Sequence, residues 1–159
     1  MKTTGGNNAA FEATYKRGKD AFDQGNYEEA IALFTQAIEI DPNNADAYLF
    51  RGISYGALGD HPKAIADYTR AIEIDPSDVR AYNKRGESYS ELDDYVKEIA
   101  DWTRVIAIDP GDAKVYRKRA VSYALLGDLK NATKDARKAC ELGDCALFKL
   151  MEENGHICD

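Results

Sequence analysis

The residues best equipped for chemistry lie together near the C-terminus: Cys140, Cys145, His156 and Cys158. Thiolates and an imidazole are the ligands of zinc sites, and a pair of thiols can close a disulfide. Their spacing, with four, ten and then one intervening residue, fits no common zinc pattern. Three arrangements stay open: free, partly buried thiols; a disulfide pinning the tail; or a metal held by the cluster. Three cysteines leave at least one thiol unpaired within the chain, which favours a reducing, cytoplasmic setting. The opening MKTTGGNNAA has one lysine and no apolar core, so no signal peptide is expected, although an exported form with its signal removed would read the same way.

Catalytic constellations are absent from the pattern. The two histidines, His61 and His156, are far apart, and His61 precedes Pro62 in a turn where it is expected to be solvated. There is no phosphate loop, nucleophile elbow or helical metalloprotease motif. The expectation is a non-enzyme with no catalytic residue and no cofactor. A net charge of −7 argues against nucleic acid as a partner, because phosphate binding needs a basic field. Apolar runs are only a few residues long, so no membrane insertion is expected.

The elements that must carry any site are set by a repeat. AIEIDP ends at Pro42 and again at Pro76, and AIAIDP ends at Pro110, a period of 34 residues. Four units follow, 11–44, 45–78, 79–112 and 113–144, the last losing its proline. A fixed period of this length means stacked supersecondary units. Within the second unit Tyr48, Gly52, Tyr55 and Leu58 trace one helical face, and after a turn Ala64, Tyr68, Ala71 and Ile72 trace another. Asn26, Asp60, Asp94 and Asp128 stand where second helices start; Asn44, Asp78 and Asp112 stand where the next first helices start. Their side-chain oxygens suit them to cap the orphan N–H groups of a first turn. Gly25, Gly59 and Gly127 precede the second helices as C-cap residues.

Gly18, Gly52, Gly86 and Ala120 share one register, and Ala30, Ala64 and Ala132 another. Small groups there let helices approach closely while Tyr48, Tyr82, Tyr116, Phe34, Tyr68 and Trp102 fill the surrounding core. A final helix is expected at about 145–153, capping the stack with Leu147, Leu150 and Met151 at its exposed end. Residues 1–10 are expected to be a flexible tail and 11–159 a single domain.

With the 34-residue period, the AY…RG…Y..LGD pattern and the terminal proline in view, residues 11–142 resemble the tetratricopeptide repeat family, and KACELGDC is weakly similar to Sel-one-like repeats. The resemblance implies an all-α, right-handed superhelical solenoid whose first helices line a concave groove. It further implies a protein-interaction scaffold or adaptor that holds a partner's peptide segment. On that reading the groove carries Tyr15, Lys16, Lys19 and Phe22, then Leu49, Phe50 and Ile53. It continues through Arg80, Asn83, Lys84 and Glu87 to Lys114, Arg117 and Lys118. An apolar half thus runs into a basic half, suited to an acidic peptide or a C-terminal carboxylate. The family's chaperone-binding subclass uses a clamp of two lysines, two asparagines and an arginine. Here Arg80 and Lys84 keep that chemistry, while Tyr15, Lys19 and Phe50 replace the rest. One unit further on, Lys114 and Lys118 keep it while Leu49, Ile53 and Lys84 miss. The rival reading is a structural solenoid that self-associates through its ends into a homo-oligomer, with no dedicated peptide ligand.

Two departures from the family pattern stand out. Arg17, Arg51, Arg85 and Arg119 replace leucine, and Asp67, Asp101 and Asp135 recur in second helices, predicting the pairs Arg51–Asp67, Arg85–Asp101 and Arg119–Asp135. Glu98 stands where sister units carry alanine, and it is expected to reach solvent or a cation such as Arg85 or Arg119.

Overall fold

The computed structural model describes the backbone of residues 4–157 and the side chains of residues 8–157. These residues are all-α, with nine helices: α1 (Thr4–Asp23), α2 (Tyr27–Ile40), α3 (Ala45–Ala57), α4 (His61–Ile74), α5 (Val79–Ser90), α6 (Tyr95–Ile108), α7 (Ala113–Leu125), α8 (Leu129–Glu141) and α9 (Ala146–Glu153). The chain divides into two compact units, Met1–Ser88 and Tyr89–Asp159, each described by itself. Among the described residues no helix is long and apolar enough to cross a membrane.

The punctuation acts largely as its chemistry predicts. Asp60, Asp94 and Asp128 accept hydrogen bonds from the N–H groups of Lys63, Lys97 and Asn131. Asn44, Asp78 and Asp112 accept from Ala47, Arg80 and Lys114. Asn26 is the exception: it makes no side-chain cap and its amide turns to Gln24 instead. Gly25, Gly59 and Gly127 take φ of 78°, 81° and 78°; Asp93 adopts the same left-handed region, at φ 56°, where its sisters are glycine. The N-terminal helix begins at Thr4, not near residue 11. Glycine and asparagine are poor helix formers, but extending an existing helix is far cheaper than nucleating one, so α1 continues upstream through them.

In the first unit α1 packs on α2 and α3 on α4. Gly18 and Gly52 are needed at these crossings. A Cβ at Gly52 would lie 2.7 Å from the Tyr68 ring and 3.2 Å from the Ala64 carbonyl, and one at Gly18 would lie 2.9 Å from the Phe34 ring. The core comprises Ala21, Ala30, Leu33 and Phe34 in one cluster, and Leu49, Ala64, Tyr68, Ala71 and Ala81 in another. A polar seam runs beside it. Arg51 donates through Nε and Nη2 to both carboxylate oxygens of Asp67, at 2.8 and 2.7 Å, and through Nη1 to Thr35 Oγ1 at 3.0 Å. Arg85 donates to Thr69 Oγ1 in the same way, at 3.0 Å. Each arginine therefore ties its helix back to the preceding second helix, a role for threonine that the repeat pattern alone does not advertise. The predicted Arg85–Asp101 pair stays an expectation. His61 is not simply solvated: its Nδ1 lies 3.4 Å from Ser88 Oγ.

In the second unit the seam recurs, with Arg119 bound to both oxygens of Asp135, at 2.6 and 2.9 Å, and to Thr103 Oγ1 at 2.9 Å. The apolar contact is Ala120, Ala132 and Ala136 closed by Met151 from α9. Met151 is 6% exposed, so it belongs to the core and not to the exposed end, whereas Leu150 is 54% exposed. A disulfide joins Cys140 to Cys145, tying the end of α8 to the N-cap of α9; of the three cysteine arrangements this is the one adopted. Cys158 lies outside the described residues, and among those described no group of three or more His, Cys, Asp or Glu side chains is placed to hold a metal. Glu98 does not escape to solvent. It is 5% exposed, its Oε1 accepts from Trp102 Nε1 at 3.0 Å, and its Oε2 is buried without a hydrogen-bond partner among the described residues.

Candidate functional site

The first unit contains three first helices, α1, α3 and α5, and their residues form two neighbouring patches. The first is aromatic. Phe50 lies 5.4 Å from Phe22 and 6.4 Å from Tyr15, both edge-on, and stacks on Phe34 at 5.9 Å. The Lys19 ammonium sits 3.8 Å from the Phe50 ring centroid and 5.1 Å from that of Phe22. Rings whose edges are packed leave a face to a cation, and the interaction strengthens as water is excluded. Lys19 also reaches Asp23 at 3.5 Å, while Lys16 is exposed. The helical period produces this shelf, because positions 15, 19 and 22 recur on one face of α1.

The second patch is ionic. Arg80 donates to Asp46 at 2.6 Å and to Asp78 at 2.8–3.0 Å. Tyr15 is close enough to feel both partners: burial, then the Asp46 carboxylate, pushes its phenol up to about 12 against the opposing pull of Arg80. Lys84 donates to Glu87 at 2.9 Å. Both cations expected to be available on α5 therefore already hold carboxylates. Asp46 is the residue that sequence reasoning missed; its acidic character in the first turn of α3 was the available signal. Asn83 is half-buried.

Two further assignments change. Leu49 does not line a groove: it is 1% exposed and packs in the core with Ala64 and Tyr68, because position 49 points between α3 and α4. Ile53 packs against the same cluster, partly buried.

In the second unit the corresponding face belongs to α7. Lys118 Nζ lies 4.7 Å above the Trp102 ring, and Arg117 donates to Asp144 at 2.7 Å. Lys114 is exposed. The expected basic half is thus largely neutralised at the positions where geometry is tightest.

A model of the tetratricopeptide repeat family matches residues 15–79 and, overlapping, 51–113. No curated protein sequence matches the chain. Among solved structures, MamA is similar at 28% identity over 83% of this chain and 77% of that one, with a TM-score of 0.80. The first such domain of Spaghetti (RPAP3), bound to the HSP90 peptide SRMEEVD, is 25% identical over 74% of this chain and 93% of that one, with a TM-score of 0.70. YrrB, described as having an unusual peptide-binding site, shares the fold at 22% identity over 92% of this chain and 76% of that one, with a TM-score of 0.79.

Proposed function

Because the chain belongs to the tetratricopeptide repeat family, we propose that it is a non-catalytic interaction scaffold whose first-helix face takes an extended segment of a partner protein. The observation that carries this reading is the Lys19 ammonium poised over Phe50 and Phe22. An apolar side chain can settle against the partly buried rings while an acidic neighbour reaches Lys19 and exposed Lys16. The peptide in the RPAP3 complex combines those chemistries, with glutamates and an aspartate beside valine. Arg80 is a weaker carboxylate receptor than its position suggests, since a ligand would have to displace Asp46. The reading accordingly places the acidic contact at α1, within the right-handed superhelix that the family resemblance implies.

The test is fluorescence anisotropy with acidic-apolar peptides whose C-termini are free or amidated, using wild type, Phe50→Ala and Lys19→Glu. Circular dichroism confirms that each variant folds. Binding that weakens about tenfold in both variants fits the proposal, tenfold corresponding to roughly 1.4 kcal/mol. Equal binding by wild type and Lys19→Glu overturns it. Exposed Leu150 on α9 supports the self-association reading, which equilibrium sedimentation of Leu150→Lys against wild type decides.

A further inference from the structure

The second unit carries a cleft lined by none of the residues of the aromatic shelf. Its volume is about 630 Å³, and α6, α7 and α8 form it from Ile106, Tyr116 and Arg119 together with Lys130, Lys134 and Arg137. Arg119 is spoken for by Asp135. Lys130 and Lys134 are exposed and make no ion pair or hydrogen bond among the described residues, and Arg137 makes only a stacking contact with Phe148, at 5.8 Å.

The repeat register shows that these cations are peculiar to this place. One, two and three periods upstream, Lys134 aligns with Ala100, Ala66 and Ala32, and Lys130 aligns with Val96, Pro62 and Glu28. Arg137 aligns with Thr103, Thr69 and Thr35, the threonines that receive the arginines of the polar seam. A solvated lysine face recurring by default would appear in several repeats; this one appears once. Residues 113–141 hold eight lysines and arginines against two aspartates and Glu141, which lines the cleft paired with Lys138, inside a chain of net charge −7.

We propose that this α6–α8 cleft binds an acidic, extended segment of a protein partner, independently of the aromatic shelf. Lys130, Lys134 and Arg137 are spaced four and three residues apart, so they climb the helix axis in steps of about 6 and 4.5 Å. Alternate side chains of an extended strand repeat at about 6.6 Å. Carboxylates two residues apart therefore face Lys130 and Lys134 in turn, and Ile106 and Tyr116 offer the strand apolar contact. A phosphate ligand fits less well. The Asn131 N–H at the start of α8 is already taken by the Asp128 carboxylate, which accepts from the Asn131 backbone and amide at 3.1 and 2.7 Å and would repel an anion there.

The experiment uses the full chain and a labelled twelve-residue peptide with glutamate at alternate positions, beside its glutamine counterpart. Lys134→Glu/Arg137→Glu, the milder Lys134→Ala/Arg137→Ala and the α9 variant Lys149→Glu, at an exposed lysine outside the cleft, are measured at two salt concentrations, with circular dichroism confirming the fold. The expected result is at least a tenfold loss in the charge-reversal double variant and a smaller loss in the alanine variant. Binding should also weaken with salt and change less than twofold in Lys149→Glu. Equal binding of the glutamine peptide, or undiminished binding by the charge-reversal variant, overturns the proposal. So does tripolyphosphate binding tighter than the peptide, or variant-sensitive self-association without peptide binding. Failure of the shelf variants alone leaves this result intact, so the two readings fail separately.

Discussion

The helix pairs α3–α4 and α7–α8 solve one packing problem with the same polar seam and opposite apolar ones. In both, an arginine grips an aspartate sixteen residues later and a threonine sixteen residues earlier. Beside that seam, α3–α4 sets Gly52 under the Tyr68 ring, a void filled by one large side chain. The α7–α8 pair sets Ala120 near Ala136, two small residues, and obtains its missing volume from Met151 of α9. The lesson is that both crossings are filled, but from different sources. Where the repeat supplies a ring, the pair is self-contained; where it supplies alanine, a helix beyond the repeat has to complete it.

Breaking the shared seam should have the largest effect. Asp67 and Asp135 are 6% and 3% exposed, so Asp67→Ala or Asp135→Ala strands a guanidinium away from its partner. Each should cost about 3 kcal/mol, the lower end for uncompensated buried charge. Urea unfolding of the two variants checks this, and near-equal losses would confirm that the seam is common to both pairs. Replacing each arginine and aspartate together by apolar residues of similar size should cost markedly less.

The apolar seam separates the pairs. Met151→Ala should cost about 2 kcal/mol, the low end for emptying a buried methionine site, since α9 is terminal and can settle inward. Reducing the Cys140–Cys145 disulfide first should enlarge that loss, because α9 is then held by packing alone. A Met151→Ala loss below about 0.5 kcal/mol in thermal unfolding would mean that α9 is not needed to complete the last repeat.

Much of this was legible in the sequence because repetition tests itself. The caps, the small-residue register and the Arg–Asp pairs each appear several times, and their local chemistry suffices to predict them. Side chains that answer to neighbours outside their own repeat were not legible. Asp46 holds Arg80 from the next first helix, and Thr35 receives Arg51 from the helix after it. Glu98 departs from the pattern and is buried against Trp102, where sequence reasoning sends a carboxylate toward water or a cation. Leu49 illustrates the limit of assigning a face by family register: a one-position rotation separates groove from core on a helix.

Smaller effects sharpen the comparison at the turns. Asp93 takes the left-handed conformation that glycine takes in Gly25, Gly59 and Gly127. Asp93→Gly should relieve about 1 kcal/mol of steric cost, offset by the lost hydrogen bond from the Tyr95 hydroxyl and by the greater freedom of glycine in the unfolded chain. A net change of no more than about 0.5 kcal/mol in either direction is expected, read as a nearly unmoved midpoint in thermal unfolding. Gly59→Ala, by contrast, should lose stability at the equivalent place.

The subtlest difference lies in alkaline titration of the first unit. Burial and the Asp46 carboxylate push the Tyr15 phenol from its usual value of 10.0 up to about 12. The folded chain therefore keeps its proton after the unfolded chain has lost it. In that window the native state binds more protons, so stability falls as pH rises. The Tyr15 contribution should be fully retained below pH 10, decline between about 10 and about 12, and level off beyond. Tyr15→Phe removes the titrating group while keeping the ring against Phe34 and Phe50. Its unfolding free energy should fall less steeply than that of wild type across this interval, with the two curves parallel near neutrality. Identical slopes would mean that Tyr15 is more hydrated than its packing against Phe34 and Phe50 implies.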